Sequence, residues 1–326
     1  MAGYTGEALR AAVATAQSEQ PALIEDFLYE RDVLMMAADP GAGKSLLITQ
    51  LALALTTAAP VYDFFTVPAP RNTYYIQLEG KPEQAFERIR RMETKLTWDP
   101  AKLCWDARKG LNVLDPRQIE GVLNDIAGWQ KPDLVVIDPI YKAVFAPLAE
   151  EQAAQALIRF SDLLQQHFSC AVVFVHHTHR EKYGIDGKRI AEDDPFFGSQ
   201  WLKAHVDTAY VLKHAGGKYK DRVTLSNKKS RGGDVVSEVL LHYDPESDTA
   251  STEAPPEKQS GYERVLKYLQ ELRKQGKTTH IFEVMEVCHL SMRHVRRVQM
   301  ALLRNGHLRC DKSVDNKRLW EPQGKV

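Results

Sequence analysis

Eight consecutive residues, Ala38-Asp39-Pro40-Gly41-Ala42-Gly43-Lys44-Ser45, set two glycines before a lysine and a hydroxyl, the order that holds a polyphosphate. Successive backbone N–H groups in such a loop form an anion nest, and a helix opening behind it adds its dipole. Gly41 and Gly43 would let the backbone approach the phosphates without a Cβ in the way. Lys44 would reach the β- and γ-phosphates, and Ser45 would hold Mg²⁺. Asp39, Pro40, Ala42 and Leu46 complete the expected nucleotide contact. Ala38 stands where the strict pattern has a glycine.

Two acids extend this chemistry. Asp138 ends the apolar run 134–137, where a carboxylate would orient the Mg²⁺ shell. Glu79 follows the run 73–78, where a carboxylate would orient and deprotonate an attacking water. Each alone is a common strand-end acid. Together, at the carboxyl ends of buried strands, they mark the edge where ligands of open α/β sheets sit. A further run ends in His176-His177-Thr178-His179. Zinc is one reading, but adjacent histidines on a strand face opposite ways and no further ligand has the right spacing. A polar sensor of the γ-phosphate fits better. The segment after it carries Arg180, Lys182, Lys188 and Arg189 among five acids, which reads as a solvated loop or as a nucleic-acid contact gated by nucleotide.

The elements that must position these residues are legible from hydropathy. From residue 33, continuous apolar strands alternate with amphipathic helices (82–94, 116–129, 149–167), which predicts an α/β fold with a mostly parallel sheet covered on both faces. Residues 5–20 read as a short lead-in helix. After residue 205, runs at 208–212, 222–226 and 235–243 read as antiparallel strands extending one edge of the sheet. Residues 244–260 contain no large apolar side chain and read as a linker.

The chain has 326 residues, with 43 Lys and Arg against 43 Asp and Glu. The balance is uneven. From Glu257 onward 15 basic residues meet 8 acidic ones, so a basic tail follows an acidic core and points to a polyanion partner. The four cysteines lack metal-ligand spacing and read as reduced thiols. No secretory signal and no apolar run of about 18 residues is visible, so a cytoplasmic protein without membrane association is expected.

Residues 261–326 read as a winged helix. Helical spacing at 262–272 and 281–287 precedes a third helix from Ser291 to Arg304, then two wing strands at 308–310 and 318–320. Arg293, Arg296 and Arg297 on the third helix, with Lys317 and Arg318 in the wing, suit duplex DNA. Winged helices also serve as protein-docking modules, which leaves that use open.

The order of elements resembles the RecA-like P-loop ATPases and, within them, the RepA/DnaB-type hexameric replicative helicases. The resemblance covers residues 23–243 and rests on 38–45, Glu79, Asp138, the His-His strand tip, Gly198-Ser199 and Lys228-Lys229-Ser230-Arg231. It implies ATP and Mg²⁺ as cofactors, Glu79 as catalytic base beside Lys44, and Asp138 as the Mg²⁺ acid. It further implies His177 as γ-phosphate sensor, and Arg231 with Lys229 as cations supplied to a neighbouring subunit's nucleotide. It departs from that group in Ala38 and in lacking an additional N-terminal domain. The expected domains are 1–22, a helical segment; 23–243, the ATPase; 244–260, a linker; and 261–326, the winged helix. The expected function is an ATP-driven DNA translocase or helicase in replication of a plasmid, phage or other mobile element. By the same resemblance it would be a homo-oligomer, a hexamer, holding single-stranded DNA through its ATPase loops and duplex through the winged helix. A helicase loader or recombination mediator, an ATP-switched DNA-binding regulator and a small-molecule kinase are the alternatives.

Overall fold

The computed structural model describes residues 5–15, 20–38, 41–148, 150–177, 200–214, 222–231, 236, 238–252, 261–288, 295, 298–299, 302, 308–314 and 317–322. The chain divides after Glu253 into two units. In chain order the first carries α1 (Gly6–Thr15), β1 (Ala22–Ile24), β2 (Leu28–Tyr29), β3 (Val33–Ala38), α2 (Lys44–Thr57), β4 (Thr73–Gln77), α3 (Pro82–Met92), β5 (Leu103–Ala107), α4 (Pro116–Trp129) and β6 (Leu134–Asp138). It continues with α5 (Glu151–Phe168), β7 (Ala171–His177), α6 (Gln200–His205), β8 (Thr208–His214), β9 (Arg222–Ser230), β10 (Glu238–Asp244) and β11 (Thr249–Thr252).

Nine strands form one sheet in the order β11-β10-β9-β8-β3-β7-β6-β4-β5. From β8 to β5 neighbouring strands run parallel, and β9, β10 and β11 join antiparallel. Every residue of β3, β4 and β6 is buried, because helices cover both faces. One face packs against α2, through Leu47, Ile48, Leu51 and Leu55 with Phe27, Tyr62 and Phe65. The other packs against α4 and α5, through Val122, Ile126, Leu157, Phe160 and Leu164. Local signals set helix starts: Pro116 opens α4 while the Asp115 carboxylate accepts the Arg117 N–H.

Three expectations need correction. Residues 208–212 belong to β8, which runs parallel to β3 rather than antiparallel; antiparallel pairing begins at β9. β5 was not foreseen, because its residues are only partly buried and carry no continuous apolar signal. Part of the expected linker is folded: β11 pairs with β10, and Ser247, Asp248, Thr249 and Ala250 are buried. Main-chain pairing and the Gln50 amide, which bonds both the N–H and C=O of Ala250 at 2.7 and 2.8 Å, hold this segment without large apolar side chains.

The second unit carries α7 (Gly261–Lys274), β12 (Thr279–His280), α8 (Ile281–Cys288), β13 (Leu308–Val314) and β14 (Lys317–Pro322). Val295, Val298, Gln299 and Leu302 are helical. Its sheet has the order β12-β14-β13. Val265, Leu269, Val284, Val295, Val298, Leu302 and Trp320 form its core. No helix among the described residues is long and apolar enough to cross a membrane.

Candidate active site

β3 delivers the chain to the glycine loop, and α2 leaves it at Lys44. Gly41 and Gly43 take φ values of 83° and 90°. A Cβ at either would meet open space. The glycines are therefore needed for the left-handed backbone rather than to clear room. Gly43 provides no capping side chain to α2, so the first N–H groups of that helix are left for an anion. Asp39 and Pro40 lie outside the described residues.

Lys44 is buried, and its Nζ lies 3.1 Å from His177 Nδ1. The ammonium donates, so Nδ1 accepts and the imidazole is neutral. Burial, then the Lys44 charge, push the His177 pKa below its ordinary value. Asp138 ends β6 beneath the loop. The Tyr75 hydroxyl donates to Asp138 Oδ2 at 2.5 Å, and the Ser45 hydroxyl also bonds this carboxylate. Burial pushes the Asp138 pKa up, while these hydroxyls and Lys44 pull it down. A serine hydroxyl and a carboxylate beside a phosphate loop are hard oxygen donors. They fit Mg²⁺, whose other ligands would be phosphate and water oxygens.

Glu79 lies just past β4. The Leu78 N–H donates to the Asp138 carbonyl at 2.8 Å, joining the ends of β4 and β6. Gln77 Nε2 donates to the Glu79 carbonyl at 2.8 Å, and Gln77 Oε1 accepts from Trp105 Nε1 at 2.7 Å. Trp105 in turn stacks on Tyr75, with centroids 4.1 Å apart. The Glu79 carboxylate is half-exposed, accepts from the Tyr141 hydroxyl at 2.7 Å, and lies 3.9 Å from His177 Nε2.

Apart from Tyr141, these side chains line one cleft of about 380 Å³, reaching from Gly41 and Lys44 past Asp138 and Glu79 to Lys81 and, on α3, Gln84 and Arg88. Tyr75, Tyr141, Trp105 and Arg88 join the site without having stood out in the sequence. Arg88 had a signal, since it falls one helical turn after Gln84 on the helix following Glu79. The aromatics had none, because a strand tyrosine reads as core.

His176 is fully buried while His177 enters the cleft, as strand alternation requires. Lys229 and Arg231 do not enter it. Ser230 pairs with Thr208, which pairs with Leu34, so they lie at the end of the sheet opposite the glycine loop. There Lys229 Nζ donates to the carbonyls of Lys203 and Ala204 at 2.6 and 3.0 Å. Arg231 donates to those of Ala204 and His205. Arg180, Lys182, Lys188, Arg189, Arg293, Arg296 and Arg297 lie outside the described residues. Lys317 and Arg318 lie on β14.

A family model described as an AAA domain matches residues 7–182. The chain belongs to the AAA domain family. Its fold is that of a RecA-like P-loop ATPase. The ATPase domain of G40P superposes with a TM-score of 0.53 at 13% identity, covering 75% of this chain and 96% of that one. Two proteins named DNA repair protein RadA are similar in sequence. The one from Brucella abortus (strain 2308) is 28% identical over 168 residues, 49% of this chain and 31% of that protein. The one from Synechocystis sp. is 24% identical over 216 residues, 62% of this chain and 36% of that protein. The AAA-family chain thus spans about a third of the length of these relatives.

Proposed function

We propose that this AAA-family ATPase is an ATP-driven DNA translocase or helicase of the RepA/DnaB type, working as a hexameric ring in the replication of a plasmid, phage or other mobile element. The observation that carries the reading is the meeting of Lys44, Ser45, Asp138, Glu79 and His177 in one cleft, with Lys229 and Arg231 at the far end of the sheet. Cations so placed have no reach to their own nucleotide; a neighbour in a ring would bring one to them, and they would leave the carbonyls of Lys203, Ala204 and His205 to meet it. An arginine supplied in this way raises turnover by ~10³–10⁵.

In this reading the α2 N-terminus and Lys44 hold the phosphates, and Ser45 and Asp138 hold Mg²⁺. Bound there, Mg²⁺ would supply charge neutralisation to the phosphates. Glu79 orients water and takes its proton. A phosphate drawing Lys44 away would free His177 Nδ1, which on taking up a proton would donate to a phosphate oxygen and so sense the nucleotide. The second unit supports a winged helix: its helix-strand-helix order leads into a sheet whose last strand lies between the other two. Arg293, Arg296, Arg297, Lys317 and Arg318 would face duplex DNA, and Arg180, Lys182, Lys188 and Arg189 a single strand.

The test is ATP hydrolysis with and without single-stranded DNA, alongside mass determination in ATP and Mg²⁺. DNA-stimulated turnover by a ring-sized particle, reduced about 10²–10⁴-fold in Glu79→Gln with ATP binding retained, is the expected result. A monomer or dimer with DNA-independent turnover sinks it. The RadA similarity favours a second reading, a recombination mediator or helicase loader, for which a filament or small oligomer without strand displacement is expected.

A further inference from the structure

Among the described residues, three helical segments of the first unit open on a proline. Asp99 stands before Pro100, and its carboxylate accepts the Ala101 N–H at 2.9 Å. Asp115 stands before Pro116 and accepts the Arg117 N–H at 3.0 Å. An acid at that position satisfies an orphan donor and suits the positive end of the helix dipole. At α3 the same place, before Pro82, holds Lys81. Its side chain accepts nothing, and its charge meets the helix end that repels it. A lysine here weakens a helix start that the chain builds elsewhere with aspartate. Natural chains break such local rules mostly at functional positions.

The position of Lys81 supports that reading. Glu79, Gly80 and Lys81 line the cleft together with Lys44, Ser45 and His177. Gly80 turns the chain there at a φ of 79°, which favours glycine. A Cβ on it would lie 3.6 Å from Gln77 Nε2 and 3.9 Å from Gln84 Oε1, so two amides seat the turn. Gln77 also holds the Glu79 carbonyl at 2.8 Å, and the Lys81 carbonyl accepts the Gln84 N–H at 3.1 Å. The backbone on both sides of Lys81 is thus fixed while its side chain is exposed. No hydrogen bond or ion pair joins that side chain to another described residue, Glu79 and Glu83 included. The other cations differ. Lys44 is buried against His177, Arg88 is half-buried two turns along α3, and Lys229 and Arg231 lie at the far end of the sheet.

We propose that Lys81 is a catalytic cation supplied in cis, its ammonium binding a γ-phosphate oxygen on the side of the cleft where Glu79 orients water. The inference rests on the reading of this cleft as the ATPase site and adds a residue to it. Catalysis of phosphoryl transfer consists mainly of positioning the γ-phosphoryl group and offsetting the charge on its outer oxygens. The water oxygen bonds to the γ-phosphorus as the bond to the bridging oxygen breaks. The water proton passes to Glu79, and ADP and phosphate leave. Lys81 neither gives nor takes a proton; it offsets charge. A single chain thereby has a cation of its own beside the base, and a cation from a neighbour adds to the rate rather than starting it.

The test uses the full chain with ATP and Mg²⁺. Lys81→Asn restores a capping acceptor and removes the charge. It should lower kcat about 10²-fold while raising the melting temperature by about 2–4 °C. Lys81→Arg should keep most of the rate. Affinity for a non-hydrolysable ATP analogue should fall about 10-fold in Lys81→Asn, and ADP affinity should stay unchanged, since ADP lacks the group Lys81 meets. An unaltered kcat, or an equal loss of affinity for both nucleotides, overturns the assignment. So does a lower kcat with a lower melting temperature, because Lys81 would then serve the fold. Mixing Lys81→Asn chains with Glu79→Gln chains separates cis from trans. A lysine acting in cis leaves every site in the mixture defective; recovered turnover would place Lys81 on a neighbour's nucleotide and overturn the proposal. Failure of the underlying reading looks different: the unaltered chain would not hydrolyse ATP, and the two affinities would still judge Lys81.

Discussion

Tyr75 holds the centre of the cleft. Its hydroxyl bonds Asp138, its ring carries Trp105, and Trp105 fixes the Gln77 amide that holds the Glu79 carbonyl. One side chain on β4 therefore sets both acids. Burial and the Asp138 charge push the Tyr75 pKa far above its ordinary value, so it acts only as a donor. Tyr75→Phe keeps the stack and removes the donor from a buried carboxylate. It should lower kcat about 10-fold and raise the Mg²⁺ needed for half-maximal rate, with little change in ATP affinity. A Mg²⁺ titration of turnover checks this, and an unaltered curve would mean that Ser45 and Lys44 hold Asp138 without help. Tyr75 was not legible as a functional residue in the sequence. The glycine loop, Glu79 and Asp138 were, because each is a chemically marked residue at a strand end. A tyrosine inside a buried strand carries no such mark until the register pairs Gln77 with Asp138.

At the scale of elements, hydropathy reports burial and not partnership. β3, β6 and β7 were legible because helices cover both their faces. β5 and β11 were not, because a sheet's outermost strands need little apolar surface and draw on main-chain bonds. The direction of β8 was also hidden, since an apolar run reads alike in either sense. β11 shows what replaces side-chain burial. Gln50 of α2 presents its amide to Ala250 as another strand would present a peptide group. Gln50→Leu keeps the volume and strips two buried partners. It should lower the stability of the first unit by about 2–3 kcal/mol. The urea midpoint measures this, and an unchanged midpoint would mean that β10 alone holds β11.

At the scale of the molecule, stability depends on a buried acid far from the cleft. Asp32 precedes β3, accepts from Gln20 Nε2 at 2.9 Å and feels the Asp207 charge. Burial foremost pushes its pKa from 3.8 up to about 6. Between these values the folded chain binds more protons than the unfolded chain, so this residue makes stability fall as pH rises through that window. Asp32→Asn keeps the oxygen facing Gln20 and removes the charge. It should stabilise the protein by about 2 kcal/mol above pH ~7, with the gain shrinking toward pH ~4. Thermal melts at both ends of the window decide it, and an equal effect at both would place the cause in packing. The strand after Asp32 has another consequence, for synthesis. β3 is central in space yet early in sequence: Val33 pairs with Val172, and Ala38 with Leu212. On the ribosome, β4, β5 and β6 can close among themselves by residue 138. β3 has no strand beside it until β7 has emerged, and its other edge stays open until β8 follows. Placing the phosphate lysine mid-sheet thus leaves the strand that delivers it waiting, through much of synthesis, for the two strands that flank it.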